Sequence, residues 1–206
     1  MEKTVIPALI AKTQRELNQR INAVKDFAGL LQLDFMDSKF VPNSSLDFDL
    51  NLPELRYEAH LMVEDPKKYI DKYLDKIEIF LIHFESVSAP GEMINYVKGK
   101  GKKAGLVINP ETTVEKIRPY LDEIGQVLVM TVNPGFYGSR FLPETLEKVK
   151  ELRRMKQGIN IEVDGGITDK TIKQAADAGA NLLVSGSFIF RAGNPGKAFE
   201  RLKRLI

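Results

Sequence analysis

The chain has 206 residues, of which 43% are hydrophobic, and its formal net charge is +2. It contains no cysteine, which excludes disulfides, thiolate metal sites and a cysteine nucleophile. Its two histidines, His60 and His83, are too few for a three-histidine metal site. The near-zero charge offers no electrostatic footprint for nucleic acid, so we expect no nucleic-acid partner.

Neither a secretory signal nor a membrane span is predicted. The apolar run at 5–11 is interrupted by Pro7 and preceded by Glu2, which does not suit a signal peptide. No stretch approaches the roughly 18 consecutive apolar residues of a transmembrane helix. We therefore expect a soluble cytoplasmic protein without a membrane partner.

Apolar runs alternate with amphipathic stretches along the whole chain. The apolar runs are nearly continuous, which is typical of parallel strands covered on both faces. The predicted strands are 4–10, 30–35, 57–62, 78–84, 104–108, 126–132, 160–163 and 181–185.

Helical patterns fill the gaps between these strands. Leu17, Ile21 and Val24 form a core-facing stripe, and several helices begin with proline, which suits the first turn. Thr112 followed by Glu115 predicts a capping box. The predicted helices are 13–27, 66–73, 90–99, 112–121, 143–156, 168–178 and 195–206, with a weaker helix or single turn at 47–53.

Eight strand-then-helix units without a linker predict an α/β fold, a single (β/α)8 TIM barrel over residues 1–206. Typical barrels have about 250 residues, so the loops of this one must be short. An open doubly wound sheet is the structural alternative, but the glycine fingerprint of a dinucleotide-binding fold is missing.

Polar residues concentrate where predicted strands end, which is where barrels place their active sites. Asp34 and Asp164 lie on the second and seventh strands. Two carboxylates facing each other across a substrate can remove a proton from one face and return one to the other. A helix cap or loop anchor is the commoner role of a single Asp at such a position, and spacing alone does not decide between them.

The loops after the last two strands carry Gly165, Gly166, Gly186 and Ser187. Barrels often bind phosphate there, since glycines let backbone N–H groups approach an anion closely. These residues therefore predict a phosphate site, with tight turns as the alternative explanation.

Six ordered motifs are similar to those of the ribulose-phosphate 3-epimerase family of small (β/α)8 barrels, and together they span essentially the whole chain. They are Leu-Asp-Phe-Met-Asp (33–37), Phe-Val-Pro-Asn (40–43), His-Leu-Met-Val-Glu-Asp-Pro (60–66), Val-Met-Thr-Val-Asn-Pro-Gly-Phe (129–136), Val-Asp-Gly-Gly-Ile (163–167) and Val-Ser-Gly-Ser (184–187).

The resemblance implies a metal-assisted proton transfer at C3 of a ketose phosphate that interconverts D-ribulose 5-phosphate and D-xylulose 5-phosphate. It assigns the acid/base roles to Asp34 and Asp164. It also implies a divalent cation (Zn, Fe, Mn, Co or Mg) held by Asp34, His60, Asp164 and the residue at position 32, which is Gln32. The cation would stabilise the charge that develops when C3 loses its proton.

The resemblance further implies a homo-oligomer and a phosphorylated sugar substrate. Its implied substrate-binding residues are Met36, Met62, Met130, Gly135, Phe136 and Gly138. The methionines also suit a role as adaptable core filler. We interpret His83 and Glu85, which match the family's strand-four pattern, as residues behind the ligands or in the barrel interior.

Four departures from the family pattern lie at the mouth of the site. Gln32 replaces a histidine ligand, and an amide oxygen is a poorer partner for zinc or iron than imidazole. The others are Ala8 in place of serine, Ser38-Lys39 in place of glycine-histidine, and Tyr137 within a glycine pair, followed by Ser139-Arg140. We hypothesise altered metal affinity, metal identity or substrate preference.

Two alternatives stay open. The substrate could be a hexulose 6-phosphate such as allulose 6-phosphate, or the chain could be a non-catalytic binder of phosphometabolites.

Overall fold

The computed structural model describes residues 1–136 and 138–206, so the departure at Tyr137 lies outside the described residues. Eight parallel strands form a closed barrel, because the first strand pairs with both the second and the eighth. The strands are β1 (Thr4–Leu9), β2 (Leu31–Asp37), β3 (Tyr57–Met62), β4 (Ile79–His83), β5 (Lys103–Ile108), β6 (Gln126–Met130), β7 (Asn160–Asp164) and β8 (Leu182–Ser185).

Helices cover the outside of the barrel. They are α1 (Gln14–Val24), α2 (Pro66–Tyr73), α3 (Pro90–Gly99), α4 (Val114–Ile117), α5 (Leu146–Met155), α6 (Ile172–Ala178), α7 (Ser187–Phe190) and α8 (Pro195–Lys203). Short 3-10 turns lie at Phe84–Ser86, Arg118–Tyr120 and Pro143–Thr145. No helix in the described part of the chain is long and apolar enough to cross a bilayer.

Local sequence explains where several helices begin. The side chain of Thr13 accepts a hydrogen bond from the Glu16 amide at the start of α1, and Asp65 accepts one from the Lys68 amide at the start of α2. Each bond satisfies one of the N–H groups that a helix leaves free at its first turn. Pro66 occupies that first turn, where its missing N–H costs nothing.

The main apolar core lies between the outer wall of the barrel and the helices. A second apolar cluster, including Leu81, Val107 and Leu128, fills one side of the barrel interior. The rest of the interior holds a smaller apolar cluster of Ile6, Ala8 and Val184 and a set of polar side chains. Gln32 on β2 contacts Asp164 on β7, and Gln126 on β6 contacts Glu58 on β3, contacts that strands so far apart can make only across the inside of the barrel.

The barrel and its eight strands are confirmed, with strand ends within two residues of the predicted ones. The helix predicted at 47–53 is wrong. The described structure has a two-residue antiparallel strand, Ser44–Ser45, and then an irregular segment. Gln14 on α1 hydrogen-bonds both the N–H and the C=O of Asn51, at 2.9 Å each, so this backbone finds its partners outside any helix.

The capping box at Thr112 is also wrong. Thr113, not Thr112, precedes the first residue of α4, and its side chain makes no capping hydrogen bond. The hydroxyl of Thr112 donates instead to the carboxylate of Glu85. A hydrogen bond that the hydroxyl donates to a charged carboxylate is stronger than one that its oxygen accepts from a neutral backbone N–H at a helix end.

Candidate active site

A cleft opens at the C-terminal end of the barrel strands. It brings together all the residues predicted to act on the substrate or bind it, apart from two that lie beneath its floor, Gln32 and His60. The predicted residues on its wall are Asp34, Met36, Met62, Met130, Gly135, Phe136, Gly138, Asp164, Gly165, Gly166, Gly186 and Ser187.

Asp34 and Asp164 converge at the bottom of this cleft. Asp34 lies opposite His60 in the β2–β3 register, and Asp164 ends β7. His60 Nδ1 lies 3.2 Å from Asp34 Oδ1 and 3.3 Å from Asp164 Oδ2. The amide nitrogen of Gln32 donates to the same two carboxylate oxygens, at 2.7 Å each. One buried amide therefore bridges the two aspartates.

Burial and charge act in opposite directions on these groups. Burial alone would lower the pKa of His60, but its hydrogen bonds to Asp164 and Asp34 outweigh that effect and raise the pKa to about 9. Burial raises the pKa of Asp34, and the neighbouring charge of Asp164 adds to that rise. In the cluster as it stands, a protonated His60 supplies the positive charge that two close carboxylates need.

Asp34, His60 and Asp164 form a candidate metal site, since one ligand atom from each lies within 4.8 Å of the others. Two carboxylates and an imidazole are a donor set that divalent cations of the first transition row accept. Gln32 fits less well. Its nitrogen, which has no lone pair to give, faces the carboxylates, while its oxygen is buried without a hydrogen-bond partner among the described residues. Only a turned amide would offer that oxygen as a ligand.

His83 and Glu85 lie behind His60, on the side away from the carboxylates. The Nε2 atoms of His60 and His83 are 2.9 Å apart, and both side chains are fully buried. Burial lowers the pKa of His83 to about 4, so this ring is neutral. Burial opposes ionisation of Glu85, but hydrogen bonds from His83, Thr112 and the Asn109 backbone lower its pKa to about 2.

Below this level the barrel holds a second polar layer that the sequence analysis did not identify. The amide of Gln126 donates to Glu58 Oε2 at 3.1 Å and to the nearest oxygen of Glu162. Burial raises the pKa of Glu58 to about 8 and, together with the charge of Glu58, raises that of Glu162 well above its usual value. Glu58 and Glu162 stand two residues before His60 and Asp164, so a period of two along each strand could have indicated their inward orientation.

Two glycines of the predicted phosphate site, Gly165 and Gly166, are required by close packing. Gly165 and Gly166 have φ values of +115° and +66°. A Cβ on Gly166 would lie 2.9 Å from the backbone of Phe141, and one on Gly165 would overlap a methyl group of Val132. The tight-turn explanation therefore accounts for both glycines, which also line the cleft.

The β6 loop is fastened to the loop after β2. Asn43 donates its side-chain amide to the Gly135 carbonyl at 2.6 Å, and Val41 occupies the space that a Cβ on Gly135 would need. Phe136, next along the loop, is 60% exposed. Met36 and Met62 pack with Val41 in a small buried cluster, so they serve as core and as cleft wall together.

Comparison with known proteins places this geometry in a family. The family model of the ribulose-phosphate 3 epimerase family matches residues 4–190. The ribulose-phosphate 3-epimerase of Schizosaccharomyces pombe is 34% identical over 100% of this chain and 95% of its own length. The cytoplasmic isoform of the Oryza sativa enzyme is 39% identical over 87% of this chain and 83% of its own.

Among solved structures, 3-hexulose-6-phosphate synthase from Salmonella typhimurium is similar at a TM-score of 0.74, with 98% of this chain and 97% of that chain covered. At 16% identity this likeness shows the shared barrel fold alone. The family match and the near full-length relatives go further: the chain belongs to the ribulose-phosphate 3-epimerase family and is an enzyme of the carbohydrate epimerase class.

Proposed function

We propose that this chain interconverts D-ribulose 5-phosphate and D-xylulose 5-phosphate by proton transfer at C3 between Asp34 and Asp164. The single observation that carries this proposal is the convergence of the two carboxylates at the floor of a cleft whose rim holds the glycine loops. Epimerisation needs a base on one face of the carbon and an acid on the other, and the two residues supply both.

Asp34 and Asp164 alternate in these roles. In one direction of the reaction, the aspartate that is ionised takes the C3 proton. The other aspartate is protonated and delivers its proton to the opposite face of C3. The raised pKa of Asp34 suits a group that must hold a proton in part of the cycle. The Gln32 amide, hydrogen-bonded to both, keeps their oxygens oriented.

A divalent cation held by Asp34, His60 and Asp164 would supply positive charge to stabilise the carbanion-like state at C3. The phosphate of the substrate would lie against the backbone N–H groups at Gly165, Gly166, Gly186 and Ser187. Met36, Met62, Met130, Gly135, Phe136 and Gly138 would enclose the sugar.

Exchange in D2O tests the reaction directly. Ribulose 5-phosphate incubated with the enzyme, with and without added Mn²⁺ or Zn²⁺, should give xylulose 5-phosphate carrying deuterium at C3. Asp34→Asn and Asp164→Asn should each slow interconversion by about 10²–10⁴-fold, which is the usual contribution of general acid–base catalysis. Asp26→Asn, at an exposed position near the end of α1, is the matched control and should keep full activity.

Other results would exclude this function. Deuteration of allulose 6-phosphate but not of ribulose 5-phosphate would identify a hexulose-phosphate epimerase. Tight binding of the phosphate esters without exchange under any metal would identify a non-catalytic binder. Undiminished turnover in both aspartate variants would refute the two-carboxylate mechanism.

We also propose a cytoplasmic location and a homo-oligomeric state for this chain. The name of the Oryza sativa relative, a cytoplasmic isoform, supports the first. Fractionation of tagged protein and analytical ultracentrifugation would test the two in turn.

A further inference from the structure

We propose that Glu85 and His83 are positioning residues that hold His60 in one tautomer, with its Nδ1 atom turned towards Asp34 and Asp164. This inference rests on the proposed function, because it concerns how the same site is prepared for a cation and for catalysis. Both residues lie outside the cleft and touch neither substrate nor reacting atoms.

The contacts form a continuous chain from the barrel rim to the site. Glu85 Oε1 accepts hydrogen bonds from the Asn109 backbone N–H, at 2.9 Å, and from the Thr112 hydroxyl. Its other oxygen, Oε2, lies 3.4 Å from His83 Nδ1. His83 Nε2 then lies 2.9 Å from His60 Nε2.

The donors and acceptors along this series of contacts fit one arrangement of protons. A carboxylate only accepts, so the His83 nitrogen facing Glu85 must carry a proton. Only one proton fits between the two Nε2 atoms, which lie 2.9 Å apart. His60, whose Nδ1 faces two carboxylates at 3.2 and 3.3 Å, is the ring that donates this proton, and His83 Nε2 accepts it. His60 Nδ1 is left to face the carboxylates, as an N–H donor or, once deprotonated, as a lone pair for a cation.

The packing admits little freedom in this arrangement. The rings of His60 and His83 lie nearly coplanar and edge to edge, with a centroid distance of 5.1 Å and an interplanar angle of 19°, as a hydrogen bond between their Nε2 atoms requires. The ring of Phe40 lies 4.9 Å from that of His83. Residues that orient a metal-binding histidine through its second nitrogen affect metal affinity strongly. Here that task falls to another histidine, which Glu85 orients in turn.

Replacing Glu85 by glutamine should reverse the tautomers. Two donors, the Asn109 N–H and the Thr112 hydroxyl, would hold the glutamine oxygen, so its NH2 group would face His83 Nδ1. His83 would then carry its proton on Nε2, and His60 would have to accept there and protonate Nδ1. In this neutral tautomer Nδ1 carries the proton and so has no lone pair for a cation.

The presence of only two histidines makes the test clean. In metal-free protein labelled with [15N]histidine, the imidazole spectrum should show His83 protonated on Nδ1, with His60 assigned from the His83→Gln variant. Glu85→Gln should shift the His83 proton to Nε2. It should also raise the Kd for Mn²⁺, followed by electron paramagnetic resonance, by about 10–100-fold, and lower kcat with little change in KM.

Two further variants keep the test decisive. Thr112→Val removes one of the donors to Glu85 but leaves the carboxylate, and should raise the Mn²⁺ Kd less than Glu85→Gln does. Glu92→Gln, an exposed change at the start of α3, should leave tautomers, Mn²⁺ affinity and turnover unchanged.

The inference is overturned if native His83 carries its proton on Nε2, or if Glu85→Gln leaves both the tautomers and the Mn²⁺ Kd unaltered. Neither spectrum nor titration needs a sugar. Tautomers that shift as expected in a chain that turns over no ketose phosphate would therefore refute the proposed function and support the positioning role.

Discussion

At the scale of single residues, Gln32 distinguishes this site most clearly from the family pattern. Its amide nitrogen bridges Asp34 and Asp164 at 2.7 Å each, which satisfies two carboxylates that would otherwise repel one another. Its oxygen, in contrast, is buried without a partner among the described residues. The residue therefore stabilises the cluster as it stands better than it would serve as a ligand.

Gln32→His should reverse this balance. An added imidazole suits zinc better than an amide oxygen, so the Kd for Zn²⁺ should fall by at least about 10-fold, or 1.4 kcal/mol. In EDTA the variant should melt at a lower temperature than the native protein, since imidazole cannot donate to both carboxylates at once. Isothermal titration with Zn²⁺ and thermal unfolding with and without metal would measure both effects.

Gln157→His, which adds a histidine at an exposed position, is the control for this experiment. Equal Zn²⁺ affinity in Gln32→His and native protein would contradict the view that Gln32 weakens the site. Native protein that purifies with one tight equivalent of zinc would contradict it as well.

Ser38, another departure from the family pattern, lies in the left-handed backbone region with φ of +61°. This conformation costs a residue with a Cβ roughly 1–2 kcal/mol, whereas glycine adopts it freely. Ser38→Gly should raise the free energy of unfolding by about 0.5–1 kcal/mol, after the greater flexibility of glycine in the unfolded chain is subtracted. Urea unfolding would measure the change, and a loss of stability would show that the serine hydroxyl has a structural role.

At the scale of elements, the loops after β7 and β8 combine packing and binding in the same residues. Thr131 donates its hydroxyl to the carbonyls of Asp164 and Gly165, at 2.9 and 2.6 Å, and so orients the end of β7. Gly166 then turns with positive φ beneath Phe141. Both glycines also line the cleft, where they carry no side chain.

Gly166→Ala should therefore impair both properties. The variant should lose about 1–3 kcal/mol of stability, because alanine at φ of +66° is strained and its Cβ meets backbone that cannot move aside. Inhibition by inorganic phosphate should weaken in parallel. Gly125→Ala, where nothing lies within 4 Å of the new Cβ, is the matched control. Unchanged phosphate inhibition in a destabilised Gly166→Ala protein would remove this loop from the phosphate site.

Elements were more predictable from sequence than contacts between them. Strand positions follow from runs of apolar residues, and Pro66 and Pro90 begin helices where the pattern predicted them. The segment after β2 and the role of Thr112 depended on partners distant in sequence, Gln14 and Glu85, which local patterns do not reveal. The aspartates and His60 were found through motifs, while the His60–His83 contact depends on the register between β3 and β4, which motifs do not give.

At the scale of the whole molecule, the barrel interior contains both apolar clusters and buried ionisable side chains. Two apolar clusters fill part of it, and the rest holds ionisable groups in two levels. Asp34, His60 and Asp164 form the upper level, and Glu58 and Glu162 form the lower level. Burying the lower pair is expensive unless the carboxyls stay protonated. Their free oxygens, unpartnered among the described residues, fit neutral acids better than carboxylates.

This interior makes stability depend on pH. Burial raises the pKa of Glu58 from 4.5 to about 8, so between these values the folded protein keeps a proton that the unfolded chain has lost. The free energy of unfolding attributable to this group therefore falls as pH rises from about 4.5 to about 8, by at most about 1.4 kcal/mol per pH unit, and levels off above. Glu162, raised for the same reason, contributes in the same direction.

Glu58→Gln should remove much of this dependence, because glutamine is neutral at every pH and can still accept the hydrogen bond from Gln126. Urea unfolding between pH 5 and pH 9 would compare the variant with native protein. As pH rises, the free energy of unfolding of the variant should increase steadily relative to that of native protein, and the difference should be largest above pH 8. His60 also loses stabilising charge towards its pKa of about 9, but it does so in both proteins and largely cancels in the difference. Glu123→Gln, at an exposed position, should give a gap that does not vary with pH. A constant gap for Glu58→Gln would mean that Glu58 is ionised inside the barrel and that the lower level carries charge after all.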